Sequence, residues 1–161
     1  MADIYQLLEK LNIAYKKVEH PPVFTVEEAD AQYHGLEGGQ TKNLFLRNKK
    51  GTRHYLLVAE SNRPIDLKEV RSLVDESTLS FASPERLMKY LGLTPGSVSP
   101  FGIINDTSRE VVVLLDAAML RHDLLNYHPN INTATLTLRR EDFLRFLEHC
   151  GNEVRILELP A

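Results

Sequence analysis

Cysteine is nearly missing from this chain: Cys150 stands alone among 161 residues. No internal disulfide can form, so an oxidising compartment is not the expected home. Also missing is any apolar run near the roughly 18–20 residues that cross a bilayer. The opening MADIYQLLEKLN mixes Asp3, Glu9 and Lys10 into an amphipathic pattern, without the basic-then-apolar order of a secretory signal. A surplus of positive charge is absent too: the formal net charge is −3, so no global basic face advertises nucleic acid and any such contact has to be local. The histidines (His20, His34, His54, His122, His128, His149) show neither H-x-x-x-H nor a Cys/His pairing at ligand spacing. The expectation is a soluble, cytoplasmic protein with no metal and no cofactor.

The length suits one domain covering residues 1–161, and the 43% apolar and 25% charged shares are those of an ordinary globular chain. Ile4, Leu7, Leu8 and Leu11 give one apolar side to a helix over about 3–11 that ends near Asn12. A short strand follows around Ala14 to Val18. After the extended His20-Pro21-Pro22, Thr25 and Glu28 have capping-box spacing and open a helix to about Tyr33, broken by Gly35, Gly38 and Gly39. The strand Lys42 to Arg47, the turn NKKGTR and the strand His54 to Glu60 read as a hairpin. Asp66 with Glu69, and Ser83 with Pro84, start two short helices, the second stopping at Gly92, with TLSFA a brief strand between them. A loop-rich stretch follows in which Ile103-Ile104 is expected to be extended. Val111 to Leu115, Thr133 to Leu138 and Val154 to Leu159 read as strands. Phe143, Leu144, Phe146, Leu147 and Cys150 form the apolar stripe of a last helix, which makes Cys150 a core side chain. Hairpins and helical connections together imply an α/β chain of α+β character: a mixed, largely antiparallel sheet or partial barrel surrounded by helices.

Two stretches carry candidate chemistry. GSVSPFG (96–102) holds glycines whose backbone freedom lets amide N–H groups converge on negative charge, a phosphate or a developing oxyanion; a plain turn has the same composition. NYHPNINTATLTL gathers His128, Asn130 and Asn132 at a strand entrance, where loops carry function and where Asn and Pro also simply make turns. The G-x-x-x-x-G-K-[ST] and G-x-S-x-G patterns do not occur. Lys42, at the mouth of an apolar strand, needs an anionic partner, a bound one or a nearby carboxylate such as Glu27 or Glu28, or a path to water.

HPPVFTVEEA (20–29), TKNLFLR (41–47), GSVSPFG (96–102) and HPNINTATLTL (128–138) together resemble the bacterial prolyl-tRNA editing family, in the same order and over nearly the full chain. These are free-standing deacylases related to the editing domain inserted in many prolyl-tRNA synthetases and to the YbaK proteins. The resemblance implies a fold like that associated domain and hydrolysis of a mischarged aminoacyl ester on tRNA(Pro). Alanyl-tRNA(Pro) is the first expectation; cysteinyl-tRNA(Pro), another misacylated tRNA, or a non-catalytic tRNA-binding module are the alternatives. The acceptor end of tRNA is the expected partner, with prolyl-tRNA synthetase a candidate second one and no membrane. By motif, the catalytic set falls on Lys42, Asn43 and the loop Gly96, Ser97, Val98, Ser99 and Pro100; substrate contacts fall on Thr25, Phe101, Gly102, His128 and Asn130. In the implied mechanism the loop amides surround the ester carbonyl and Lys42 brings positive charge. Arg47, Lys49, Lys50 and Arg53 are a candidate phosphate-contacting patch.

Overall fold

Short polar side chains decide where the helices begin. Asp3 accepts from the Tyr5 amide at the start of α1 (Ile4–Lys10), and Asp66 accepts from the Lys68 amide at the start of α2 (Leu67–Leu73). Ser83 accepts from the Arg86 amide at the head of α3 (Pro84–Leu91), where Pro84 occupies a first-turn position that has no intrahelical donor to lose. Gly92, at φ 66, closes α3 in the left-handed conformation glycine tolerates. The last helix, α4 (Arg140–Cys150), ends the same way at Gly151. The computed structural model describes residues 3–21 and 38–160. The helix expected from Thr25 to Tyr33, and Thr25 itself, lie outside the described residues.

The strands are β1 (Tyr15–Glu19), β2 (Gly39–Asn48), β3 (His54–Glu60), β4 (Leu79–Phe81), β5 (Val111–Asp116), β6 (Leu124–Tyr127), β7 (Ala134–Arg139) and β8 (Val154–Leu157). They form one eight-stranded sheet in the order β1-β7-β6-β2-β3-β5-β8, with β4 added beside β2. The pairs β1/β7, β6/β7, β2/β3 and β2/β4 are antiparallel, whereas β2/β6, β3/β5 and β5/β8 are parallel. The mixed, largely antiparallel sheet with helices is thus the one anticipated. Its hairpin β2–β3 runs from Thr41↔Glu60 to Arg47↔His54. The buried Asn48 closes its turn by accepting from the Thr52 and Arg53 amides.

β3 from Tyr55 to Ala59 and β5 from Val111 to Leu115 are continuous apolar runs because both faces are covered. Leu56, Val58, Val111, Val113 and Leu115 enter the larger core with α1, α3 and α4. Tyr55, Leu57, Val112 and Leu114 enter a smaller one, with Val70 and Val74 from α2 and its C-cap. Three local readings change. Ile103 and Ile104 lie in a 3-10 helix, Pro100–Asn105, rather than in extended chain, because Ser99 caps a turn there and Ile103 is buried against the larger core. Leu124–Tyr127, which its polar HPN neighbours disguise as loop, is a strand. Leu144 is 36% exposed, on the margin of the α4 stripe rather than inside it. Cys150 is half-buried, and burial pushes its thiol up to about 11 against the pull of Arg109. Among the described residues no helix is long and apolar enough to cross a membrane.

Candidate functional site

The sheet has a gap. On the edge of β2 away from β3, β6 pairs only with Gly39 and Gln40, and β4 pairs only with Leu46 to Asn48. Among the described residues, no strand lies beside residues 41–44 on that edge, which leaves their backbone groups there available for pairing. Asn43 sits in the middle of the gap and lines a cavity on each side.

One cavity, of about 220 Å³, is mostly apolar: Leu44, Phe45 and Asn43 from β2, then Phe81, Ala82 and Pro84, Leu87 of α3, and Pro95, Gly96 and Val98 from the loop before the 3-10 helix. The other is a polar niche of about 10 Å³, room for about one water, lined by Thr41, Asn43, Asn126, Tyr127, His128 and Thr135. Asn43 lines both, and its Oδ1 is buried with no hydrogen-bond partner among the described residues. A buried acceptor without a donor costs about 1–3 kcal/mol, so its persistence points to a donor that arrives with a ligand.

The loop is built to present amides. Gly96, at φ 90, takes a backbone conformation that a side chain would strain. Ser97 N donates to Thr94 O at 3.1 Å, Phe101 N to Ser99 Oγ at 3.1 Å, and Gly102 N to Ser99 O at 3.1 Å. Among the described residues, the amides left without a bond in this loop are those of Gly96, Val98 and Ser99. Gly96 and Val98 line the apolar cavity, so the candidate oxyanion donors narrow to them.

The remaining motif residues divide. Ser99, fully buried, donates through its hydroxyl to the His128 carbonyl and so ties the loop to the His128 turn. Pro100 starts the 3-10 helix and is buried. Phe101 lies in the larger core, edge-on to Tyr127 at 5.9 Å and to Phe146 at 5.1 Å, and away from both cavities. Gly102 is buried where a Cβ would come within 2.6 Å of Leu93, which makes its role a matter of packing. The structure therefore does not bring these two to the gap.

His128 does reach it. Its Nδ1 faces the Ala134 carbonyl at 3.2 Å, an oxygen that can only accept, so Nδ1 carries the proton. Burial lowers its pKa, with His20 pushing the same way and the Ala134 bond opposing, so the neutral ring is favoured. His20, 6.3 Å away between ring centroids, bonds Thr135 Oγ1 through Nε2 at 2.9 Å. Asn130, at φ 66, turns the chain beyond His128 and keeps its own buried Oδ1 unpaired, but lines neither cavity.

Lys42 is not brought to the loop. Strand alternation sends Thr41, Asn43 and Phe45 to one face of the sheet and Lys42, Leu44 and Leu46 to the other. The Lys42 ammonium donates to the Arg63 carbonyl. Burial lowers its pKa and the Asp116 carboxylate opposes that shift. Asp116, nearly fully buried, holds Arg63 Nε at 3.2 Å and accepts from the Glu60 and Ala118 amides. Among the described residues the carboxylate near Lys42 is Asp116, more than seventy positions away in sequence; Glu27 and Glu28 lie outside the described residues.

Thr41, Asn126, Thr135 and the apolar wall of Leu44, Phe45, Pro84 and Leu87 escaped the sequence reading. Period-two alternation was the available signal: once Phe45 faces the core, Thr41 and Asn43 must face the same way and Lys42 must not.

The model of the aminoacyl-tRNA editing domain matches residues 20–146. The chain is 43% identical over 152 residues to the prolyl-tRNA editing protein ProX of Acetoanaerobium sticklandii, covering 94% of this chain and 93% of that one. It is 36% identical over 157 residues to the prolyl-tRNA synthetase associated domain-containing protein 1 of Danio rerio, covering 96% and 85%. In fold it is similar to a solved structure proposed as a trans-editing enzyme for prolyl-tRNA synthetase, with TM-score 0.71 at 23% identity over 99% of both chains.

Proposed function

The chain belongs to the aminoacyl-tRNA editing domain family, and on that premise we propose that it is a free-standing hydrolase that removes a wrong amino acid, alanine first, from tRNA(Pro). The observation that carries the reading is the orphaned Asn43 Oδ1 in the sheet gap, between an apolar cavity with free loop amides and a niche the size of one water.

The aminoacyl group enters the apolar cavity, and its ammonium donates to Asn43 Oδ1. The Gly96 and Val98 amides donate to the carbonyl oxygen, a contact that strengthens as that oxygen gains negative charge. Water from the niche beside His128 adds to the carbonyl carbon and gives up a proton; the bond from that carbon to the ribose oxygen then breaks, and the departing oxygen takes up a proton, leaving the free amino acid and the tRNA hydroxyl. The ester is activated by its vicinal hydroxyl, so holding, polarising and positioning are sufficient and no side-chain nucleophile is required. Lys42 is a positioning residue: its ammonium bonds the turn after β3 and thereby sets β2, from which Asn43 projects.

Such a hydrolase answers a limit on discrimination. A pocket made for proline cannot strongly reject the smaller alanine, since one methylene is worth about 1–3 kcal/mol. A second sieve that accepts the methyl and refuses the pyrrolidine ring corrects the error. Alanyl-, cysteinyl-, seryl- and prolyl-tRNA(Pro) assayed side by side test the reading. Rapid loss of the alanyl ester with the prolyl ester spared is the expected result; rapid prolyl cleavage would overturn it.

A further inference from the structure

One large aromatic side chain at the cavity rim has no structural reason to be there. Phe81, the last residue of β4, is 62% exposed, yet it lines the same apolar cavity as Asn43 and Gly96. It contributes to neither core, whereas Leu79, two positions earlier on the same face of the strand, is buried. An aromatic ring left half in water on a narrow edge strand gives up burial that a polar residue would not need.

Its surroundings are richer in positive than in negative charge. β4 runs antiparallel to the end of β2, with Leu46↔Phe81, Arg47↔Ser80 and Asn48↔Leu79, and β2 leads directly into the turn with exposed Lys49, Lys50 and Arg53. Three strand residues separate the register of Phe81 from Lys49, roughly 10 Å. On the other flank α3 carries exposed Lys89, with Glu85 the acidic residue on that helix. Arg86 of α3 donates to the Gly51 carbonyl, which ties this helix to the turn that carries Lys49, Lys50 and Arg53.

We propose that Phe81 is a stacking platform for the terminal nucleobase of the aminoacyl acceptor, with the preceding phosphates running toward the Lys49–Arg53 turn. This rests on the reading of the gap as the ester site. An ester carbonyl held at Gly96 places the attached adenosine beside the cavity lining, where the exposed aromatic residue is Phe81. Bases stack on aromatic faces without regard to sequence, and nearby cations hold the backbone. Phe81 accordingly selects for an ester that carries a nucleoside, over the same ester without one.

The chain contains no tryptophan, so Phe81→Trp installs a single indole at the platform, excited selectively at wavelengths the tyrosines do not absorb. Titration with a hydrolysis-resistant amide, 3′-alanylamino-3′-deoxyadenosine, should quench that emission saturably, and the matching base-free alanyl amide should not. In turnover, Phe81→Ala should lower the kcat/KM ratio of alanyl-adenosine to a base-free alanyl ester by roughly 5- to 150-fold, with Phe81→Tyr restoring most of it. Absence of quenching, or an unchanged ratio in Phe81→Ala, overturns the platform while leaving the deacylase reading intact. If the parent chain hydrolyses no alanyl ester, that reading fails instead, and quenching still decides the platform.

Discussion

Lys42 and Asn43 are adjacent in β2, both polar, both half-buried, and they meet opposite fates on the two faces of one sheet. The Lys42 ammonium is answered from within: it bonds the Arg63 carbonyl and feels Asp116, whose carboxylate also holds Arg63. The Asn43 oxygen is answered by nothing in the described chain and borders two cavities. A satisfied buried charge is a fastener between β2, the turn after β3 and the end of β5; an unsatisfied buried acceptor is, on the proposed function, the group that a substrate donor would meet. The difference predicts that the Lys42 face controls stability and the Asn43 face controls turnover.

The strongest way to break that division is Asp116→Ala. It leaves Arg63 and Lys42 without their carboxylate and two amides without an acceptor. Stability should fall by about 3–5 kcal/mol in chemical denaturation; an unchanged midpoint would mean that the cluster is not a fastener. Next is Asn43→Ala, expected to lower kcat/KM for alanyl-tRNA by roughly 10- to 100-fold, the loss of a hydrogen bond to a charged group, while the denaturation midpoint barely moves because Oδ1 bonds nothing. A large drop in stability with turnover retained would reverse the assignment.

Lys42→Ala should have a mixed and smaller effect, about 1–2 kcal/mol of stability. Its kcat/KM should fall too, with the pH–rate profile unmoved, and Lys42→Arg should recover part of both. A catalytic ammonium, by contrast, would change the profile. The smallest effect sharpens the Asn43 face. His54 stacks on Phe45, a wall of the apolar cavity, and lies 3.0 Å from an Arg86 nitrogen; burial first, then Arg86, brings its pKa from 6.5 down to about 4. Between those values the unfolded chain binds more protons than the folded one. Stability therefore declines as pH falls from about 6.5 toward 4 and is flat from this source above that window. Tm measured across that range should decline less in His54→Gln, which keeps an acceptor for Arg86 but does not titrate.

Much of this architecture was legible because it is local. Asp66 and Ser83 announce helix starts, Gly92 announces a stop, and the two apolar runs around NKKGTR announce a hairpin, since each signal acts within a few residues of itself. The quoted motifs likewise brought Asn43, Gly96, Val98 and His128 forward, and all four do line the gap. What escaped was non-local. Leu124–Tyr127 is a strand only because β2 and β7 flank it, and Phe101 leaves the site only because Tyr127 and Phe146 enclose it.

By itself the amino-acid order determined the element types, the caps, the alternation that separates Lys42 from Asn43, and the motifs that mark a tRNA-editing chain. Only the tertiary structure decided that, among the described residues, the edge of β2 away from β3 has no strand at residues 41–44, that an apolar and a polar cavity both reach Asn43, and that Asp116 faces Lys42. Propensity and period are properties of neighbouring residues. A gap in a sheet and the partner of a buried charge depend on which distant segments arrive, and that is set by how the whole core packs.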